Sequence, residues 1–464
     1  MPMGRRQGIL QEAAIHMKTT KTFLAVAGLA AAIFVGAARG ERATPPRFAE
    51  VVASNFEAWD ADHDGSLSSS EIDKLVVNPS IQGPEAAAAA ALKRILRSEK
   101  YELPSLTKAF LTKPLPSRTS KRVPANTDRD DSTERGTAPS SGDDKVPTPE
   151  PKPIRSTGST PTPDFQSRYA QSLSRIEKTD RSLFGDDNEL SIDHCHQGPL
   201  GDCFFVAPVG GLVKKSAADV RAMISPLTGV EGYNVKFGNG RVVRVAPLTD
   251  AEVAISSTTL DGGGQDGLWL AVLEKAFGTL RRDDNPSRYE MESATDAIAK
   301  GGSTASTIQL LTGHAVQRIT LKRPVKGWIP EEFDRNRRRV APPSGTVIPT
   351  EPAGDVDVLA KKVRDGVKKT LAAGRLVATG TGDDRQPPGI SGKHAYAVLA
   401  FDEAKDTLTL WNPHGNSFKP KGEAGRLNGY PTKAGIFEIP VADFVRVFNG
   451  VSIETEKGVG RGRA

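Results

Sequence analysis

Between Thr112 and Pro163 the only large apolar side chains are Leu115, Val123, Val146 and Ile154, and most of the remainder is proline, serine, threonine, glycine and charge. Such a stretch cannot bury enough surface to offset the entropy lost on ordering, so it reads as a disordered linker. It divides the 464-residue chain into a short amino-terminal part and a longer carboxyl-terminal part. Exposed and unstructured, the linker is also where the backbone is most open to cleavage.

Ahead of the linker, residues 22–38 (TFLAVAGLAAAIFVGAA) follow the basic run MKTTK and end in small residues. Charged start, apolar middle and small-residue end are the marks of a secretory signal peptide, here spanning 1–38 with Met17 as the candidate true start. The chain is accordingly expected to be secreted or periplasmic, with no stable membrane span after cleavage; a membrane anchor is the alternative. Residues 46–111 have the apolar spacing of a small all-α domain, with Phe48, Val51, Val52 and Phe56 on one face and a helix opening at Pro84.

Between the first two helices runs DADHDGSLSSSE, Asp60 to Glu71. Asp60, Asp62, Asp64, Gly65 and Glu71 fall at positions 1, 3, 5, 6 and 12 of an EF-hand loop. Calcium takes hard oxygen ligands, and the loop offers three Asp carboxylates, the Ser66 carbonyl, Ser68 or a water it holds, and a bidentate Glu71. Gly65 permits the turn and Leu67 points inward. No second loop of this quality follows, so a lone or half-degenerate pair is expected. The cofactor expected from these residues is Ca2+.

Composition narrows the partners. With 62 basic against 56 acidic side chains the net charge is +6, and both signs are mixed along the chain. No dense basic stripe marks a nucleic-acid surface, and none is expected to bind. Two cysteines exclude a disulfide scaffold and a four-cysteine zinc site. His194, Cys195 and His196 are adjacent, and neighbours on one strand face opposite ways, which argues against zinc. A Cys195–Cys203 disulfide would silence the second thiol, so a free Cys195 is expected.

From 164 to 452 the pattern is that of a globular α+β enzyme, helical first and β-rich later. Helices are expected at 164–177, 203–215, 267–280 and 354–373, and strands at 233–237, 241–246, 375–380, 394–402, 407–413 and 435–439. This gives a helical lobe over 164–325, a β-rich lobe over 326–452 and a flexible tail over 453–464, with a cleft between the lobes. Cys203 lies in QGPLGDCFFVA and opens an apolar helix, where unpaired N–H groups and the helix dipole would lower its pKa. Taken alone it is as readily a core cysteine. Gln197, six residues earlier, is a candidate oxyanion donor beside the Cys203 N–H. His394 opens one strand and Asn412 ends the next, so a hairpin would bring them together as the base and orienting residue of a Cys–His–Asn unit.

These segments resemble the calpain family of cysteine proteases. QGPLGDCFFVA is similar to its nucleophile motif. LWLAVLEKAFGTL (268–280) follows a calpain helix at Trp269, Leu273, Glu274, Lys275 and Phe277. KGGSTASTIQLLTG (300–313), GKHAYAVL, LWNPHG and GIFEIPVADFVRVF (435–448) continue the resemblance in order over roughly 180–450. The resemblance implies a papain-like two-lobe core and a calcium-dependent endopeptidase acting on proteins or peptides, with self-cleavage expected in the 112–163 linker. Cys203 would be nucleophile, His394 base then acid, Asn412 orienter and Gln197 oxyanion donor. The upstream EF-hand gives an arrangement similar to bacterial secreted members. Phe204 and His414 stand where the family has tryptophan, and Pro208 sits inside the nucleophile helix, so reduced activity or an altered pH profile is expected. The other expectations are a transglutaminase-like acyl transferase and a catalytically silent secreted calcium-binding protein.

Overall fold

Phe48, Val51, Val52, Phe56 and Trp59 form the buried stripe of α1 (Phe48–Trp59) in the computed structural model, which describes residues 45–98, 101–113, 162–185, 190–198, 200–256, 267–289, 293–324 and 350–458. The chain divides into the units Met1–Thr44 and Pro45–Ala464, and every described residue belongs to the second. The signal-like segment 1–38 and nearly all of the linker 112–163 lie outside the described residues.

The amino-terminal helices continue with α2 (Ser69–Val77), α3 (Gly83–Leu96) and α4 (Lys108–Leu111), and beyond the linker α5 (Phe165–Lys178) starts at an Asp164 cap. Ala86 to Ala91 in α3 are all buried. Their small side chains let α5 pack close on that helix, so the alanine run serves packing as well as helix propensity. Residues 46–111 were expected to stand apart from the segment after 163, yet the two share one apolar core. Phe48 stacks on Phe165 with ring centroids 5.2 Å apart, and the Phe48 N–H donates to Gln166 Oε1 at 2.9 Å. Buried Lys93 pairs with Asp73 of α2 and with Asp296, and Arg97 adds a second bond to Asp296 at 2.6 Å.

The next stretch holds α6 (Cys203–Ala222), then β1 (Ile224–Pro226), β2 (Tyr233–Lys236) and β3 (Val242–Val245), which form a small antiparallel sheet in that order. The Gly238–Asn239–Gly240 turn joins β2 to β3 as its composition predicts, with Gly240 at φ 87°. Helices α7 (Asp250–Ser256), α8 (Trp269–Asp284), α9 (Pro286–Tyr289), α10 (Ala294–Ala299) and α11 (Thr304–Thr312) complete this half.

The β-rich half starts earlier than the 326 boundary: β4 (His314–Thr320) is already an edge of its main sheet. After β5 (Lys322–Pro324) and its partner β6 (Thr350–Pro352) come α12 (Val356–Ala372), β7 (Val377–Gly380), β8 (Ala395–Asp402), β9 (Thr407–Trp411), β10 (Thr432–Lys433), β11 (Ile436–Pro440), α13 (Val441–Val447) and β12 (Gly450–Gly458). The seven-stranded antiparallel sheet runs β10-β11-β9-β8-β7-β12-β4. Residues 453–458, expected to fray as a tail, extend β12 instead, with Ile453 and Glu454 buried. The fold is α+β.

Alternation along the central strands splits the two cores. Ala378, Ala395, Ala397 and Trp411 face the helical core, while Val377, Tyr396, Val398, Leu408 and Leu410 face a second core under α12 and α13. The first face is lined by small residues, so α6 lies close to it. A Cβ at Gly210 would meet the Trp411 ring at 2.3 Å, so only glycine fits there. Among the described residues no helix is long and apolar enough to cross a membrane.

Candidate active site

Cys203 is the first residue of α6, behind Asp202. Pro208 leaves the helix intact around it, and the one break lies at Ser216, at φ -156° and ψ 89°. Phe204 packs into the gap left by Gly302, where a Cβ would stand 2.3 Å from its ring, and Arg281 lies over the same ring. The turn bearing Cys203 is thereby fixed to the Gly301–Gly302 wall, since Arg281 Nη1 also donates to the Gly301 carbonyl at 2.6 Å.

The hairpin of β8 and β9 supplies the imidazole. Its register pairs Ala397 with Trp411, and just beyond that pair His394 and Asn412 come together. His394 Nε2 and Asn412 Oδ1 are 2.7 Å apart and buried. Asn412 is itself held: its Oδ1 accepts from the His414 N–H at 3.0 Å and its Nδ2 donates to Asn416 Oδ1 at 2.8 Å. His414 packs directly on the imidazole. Its ring lies flat on His394, centroids 4.3 Å apart and planes 11° from parallel, while Tyr396 meets His394 edge-on. With Nε2 committed to Asn412, Nδ1 is the nitrogen left for the cleft.

Gln197 lies elsewhere than its expected role requires. Its Nε2 donates to the Leu200 carbonyl at 2.6 Å, and its backbone N–H donates to the Pro413 carbonyl at 2.8 Å. The loop is thus tied to the His–Asn hairpin, but the amide is turned into the protein and does not line the cleft. Cys195 and Cys203 form no disulfide, and Cys195 is buried with its Sγ donating to the Ser191 carbonyl at 3.4 Å.

A cleft of about 570 Å³ contains Cys203, Phe204 and Gly302 on the helical side and Thr381, His394 and Val451 on the sheet side. Burial pushes the Cys203 thiol above its ordinary range, and the Asp202 carboxyl adds to this; the N–H groups of Ala395, Phe204 and Cys203 pull the other way and lose. The depression expected from the helix terminus is therefore overcome by desolvation. Burial, with the His414 ring, holds His394 down at about 4, against the Asn412 bond. Behind the thiol, burial raises the fully enclosed Asp202 carboxyl to about 6, and the neighbouring Glu274 and Gln197 side chains pull it down only in part. Asp202 and Glu274 make a buried carboxyl pair that sequence reasoning did not single out: each residue type is unremarkable until α6 and α8 are packed together.

In the loop before α2, Asp60, Asp62 and Glu71 bring carboxylate oxygens within 4.8 Å of one another. Backbone N–H groups fold inward onto these side chains, with Gly65 N–H on Asp60 Oδ2 at 2.9 Å, Ser66 N–H on Asp64 Oδ1 at 2.8 Å and Ala61 N–H on Glu71 Oε1 at 2.7 Å. Burial raises the Glu71 carboxyl, but bonds from Ser68, Ala61 and Asp62 outweigh it and hold the group below its usual range. Gly65 sits at φ 83° and Leu67 is buried. The Leu67 N–H donates to the Leu106 carbonyl at 3.1 Å, and Ser66 bridges Thr107, so the segment before α4 braces this loop as a second loop would. Among the described residues, His194, Cys195 and His196 form no metal-holding group.

No protein-family model matches the chain, and no curated protein is significantly similar to it.

Proposed function

We propose that this protein is a papain-like, calpain-type cysteine endopeptidase that hydrolyses peptide bonds through a thioester acyl-enzyme. The observation that carries the reading is the buried 2.7 Å bond from Asn412 to His394 Nε2, with Cys203 opening α6 across the same cleft. With Nε2 held by Asn412, Nδ1 would be the nitrogen that serves the thiol, as a cysteine nucleophile requires of its base.

In this reading the neutral imidazole of His394 takes the Cys203 proton at Nδ1 as sulfur attacks the substrate carbonyl. The Cys203 N–H, at the first turn of α6, would donate to the developing oxyanion. Imidazolium then returns its proton to the leaving amine, and water, deprotonated by the same nitrogen, releases the acid. Gln197 would join as second donor only by turning its amide away from the Leu200 carbonyl.

The Asp60–Glu71 loop is read as an EF-hand calcium site. The converging carboxylates, Gly65 and Leu67 fit a hard cation of this size, with Asp60, Asp62, Asp64, the Ser66 carbonyl, Ser68 and Glu71 as the set that would hold it. Bound there, calcium would supply a fixed positive charge bridging α1 and α2, at a distance from the chemistry.

The raised thiol and the engaged Gln197 are what a catalytically silent calcium-binding protein would also present. Casein hydrolysis by the full chain, with and without calcium and beside Cys203→Ala, decides between them. Turnover lost in the variant supports the endopeptidase. Its absence in reducing buffer, together with no labelling of Cys203 by a thiol-directed inhibitor, supports the silent protein. Transfer of an acyl group to an added amine in preference to water would favour the transferase.

A further inference from the structure

We propose that the cleft selects an acidic substrate side chain near the scissile bond, gripped by Arg318 and Lys393. This rests on the endopeptidase reading and names its substrate class.

Arg318 and Lys393 are the only Lys, Arg, Asp or Glu side chains that line the cleft among the described residues. Arg318 projects from β4, where it pairs with Ser452 of β12, and its Nη2 donates to Ser303 Oγ. Ser303 in turn caps α11, so the positive end of that helix opens onto the same cleft, as does that of α6 at Cys203. No carboxylate among the described residues pairs with Arg318, which leaves most of its donors for a ligand. Asp202, next to Cys203 in the chain, lies fully enclosed and does not line the cleft.

Lys393 gives the second, independent observation. It stands next to His394 at φ 48°, a conformation that a side chain bearing Cβ adopts at a cost and glycine adopts freely. The strain is enforced by the Lys393 N–H on the Gly382 carbonyl at 2.9 Å. A strained cation beside the base is what a chain keeps when the charge is used. Its ion pair with Asp383, at 2.9 Å, is largely solvent-exposed on the lysine side, and such pairs hold a lysine weakly. The ammonium is therefore available to a carboxylate entering the cleft.

The test uses fluorescence-quenched decapeptides that carry one Glu, Gln or Lys moved stepwise along an otherwise uncharged sequence. Cleavage is measured by the full chain, and binding by anisotropy to Cys203→Ala. At low salt the expected kcat/KM for Glu exceeds that for Lys by roughly tenfold or more at one position, shrinking several-fold at 0.5 M salt. Arg318→Glu is expected to reverse that ratio. Lys393→Gly removes the charge while suiting the backbone, so it is expected to melt no lower than the wild type and still to lose Glu preference. Equal cleavage of all three peptides overturns the proposal and leaves the endopeptidase reading standing. No cleavage, with Glu still preferred in binding to Cys203→Ala, supports the acidic grip and overturns the protease. Neither cleavage nor binding preference overturns both.

Discussion

At the residue scale the cleft holds a thiol and an imidazole that are both uncharged at neutral pH. Burial dominates each: it raises Cys203 and lowers His394 to about 4. A preformed thiolate–imidazolium pair would react at a constant rate from about pH 5 upward; a neutral pair would not. Iodoacetamide labelling of Cys203 is therefore expected to climb with pH without a plateau below pH 8, its midpoint above the usual ~8.5 of a free cysteine. Stopped labelling and mass analysis across pH 5–10 checks this. Asn412→Ala is expected to cut kcat by about 10- to 100-fold with little change in KM, because it frees the imidazole to rotate rather than removing a substrate contact. The Asp202–Glu274 pair yields a pH prediction of opposite character. A carboxyl whose folded pKa is raised stabilises the fold fully at low pH and loses that contribution as pH rises through about 6. Asp202→Asn removes the carboxyl that burial raises. Its denaturant midpoint relative to wild type is expected to improve between pH 5 and 8 by on the order of 1–2 kcal/mol in equivalent stability.

At the scale of elements, α3 joins the amino-terminal helices to the rest. Lys93, 3 % exposed, sits between Asp73 of α2 and Asp296 of α10. Replacing it with Ala leaves two half-buried carboxylates facing each other, with Arg97 still on Asp296, so the loss is expected to fall below the ~3–5 kcal/mol of a fully buried pair. Urea unfolding of Lys93→Ala measures that loss, whereas Lys93→Ala with Asp296→Asn is expected to recover part of it. The β8–β9 hairpin shows how far an element can be read in advance. The alternation in HAYAVLA and the turn before Thr407 predict both strands, and hence that His394 and Asn412 meet. The stacking of His414 on His394 depends on strand register, which becomes visible only once Ala397 is paired with Trp411. Likewise β4 and β12 pair over a long sequence separation, and nothing local in either segment announces the other.

At the scale of the whole molecule, the helices before the linker and the core after it form one body. Phe48 on Phe165, Thr249 Oγ1 on the Val76 carbonyl at 2.5 Å, and the Gly83 N–H on Asp250 Oδ2 at 2.8 Å bind the two sides. Cutting the chain at a protease site engineered within 114–161 is expected to leave the two fragments eluting together in gel filtration. Separation would show that the shared core does not hold without the covalent link. Because the loop at 60–71 belongs to this body, calcium binding there is expected to raise the melting temperature of the whole rather than of a detached part. At a hundredfold excess over Kd the stabilisation is about 2.7 kcal/mol, and Asp60→Ala should abolish it.

The sequence by itself determined the local features. Helix faces, the glycine turns, the 60–71 ligand spacing, the strand pair bearing His394 and Asn412, and the α+β class all follow from period and from residue chemistry within a few positions. Tertiary structure alone decided what depends on distant segments sharing a low-dielectric interior. It joined residues 46–111 to the core, sent the Gln197 amide to the Leu200 carbonyl, and set Glu274 against Asp202. It also reversed the pKa shift of Cys203, because a helix terminus is a property of one segment whereas burial is a property of everything packed around it.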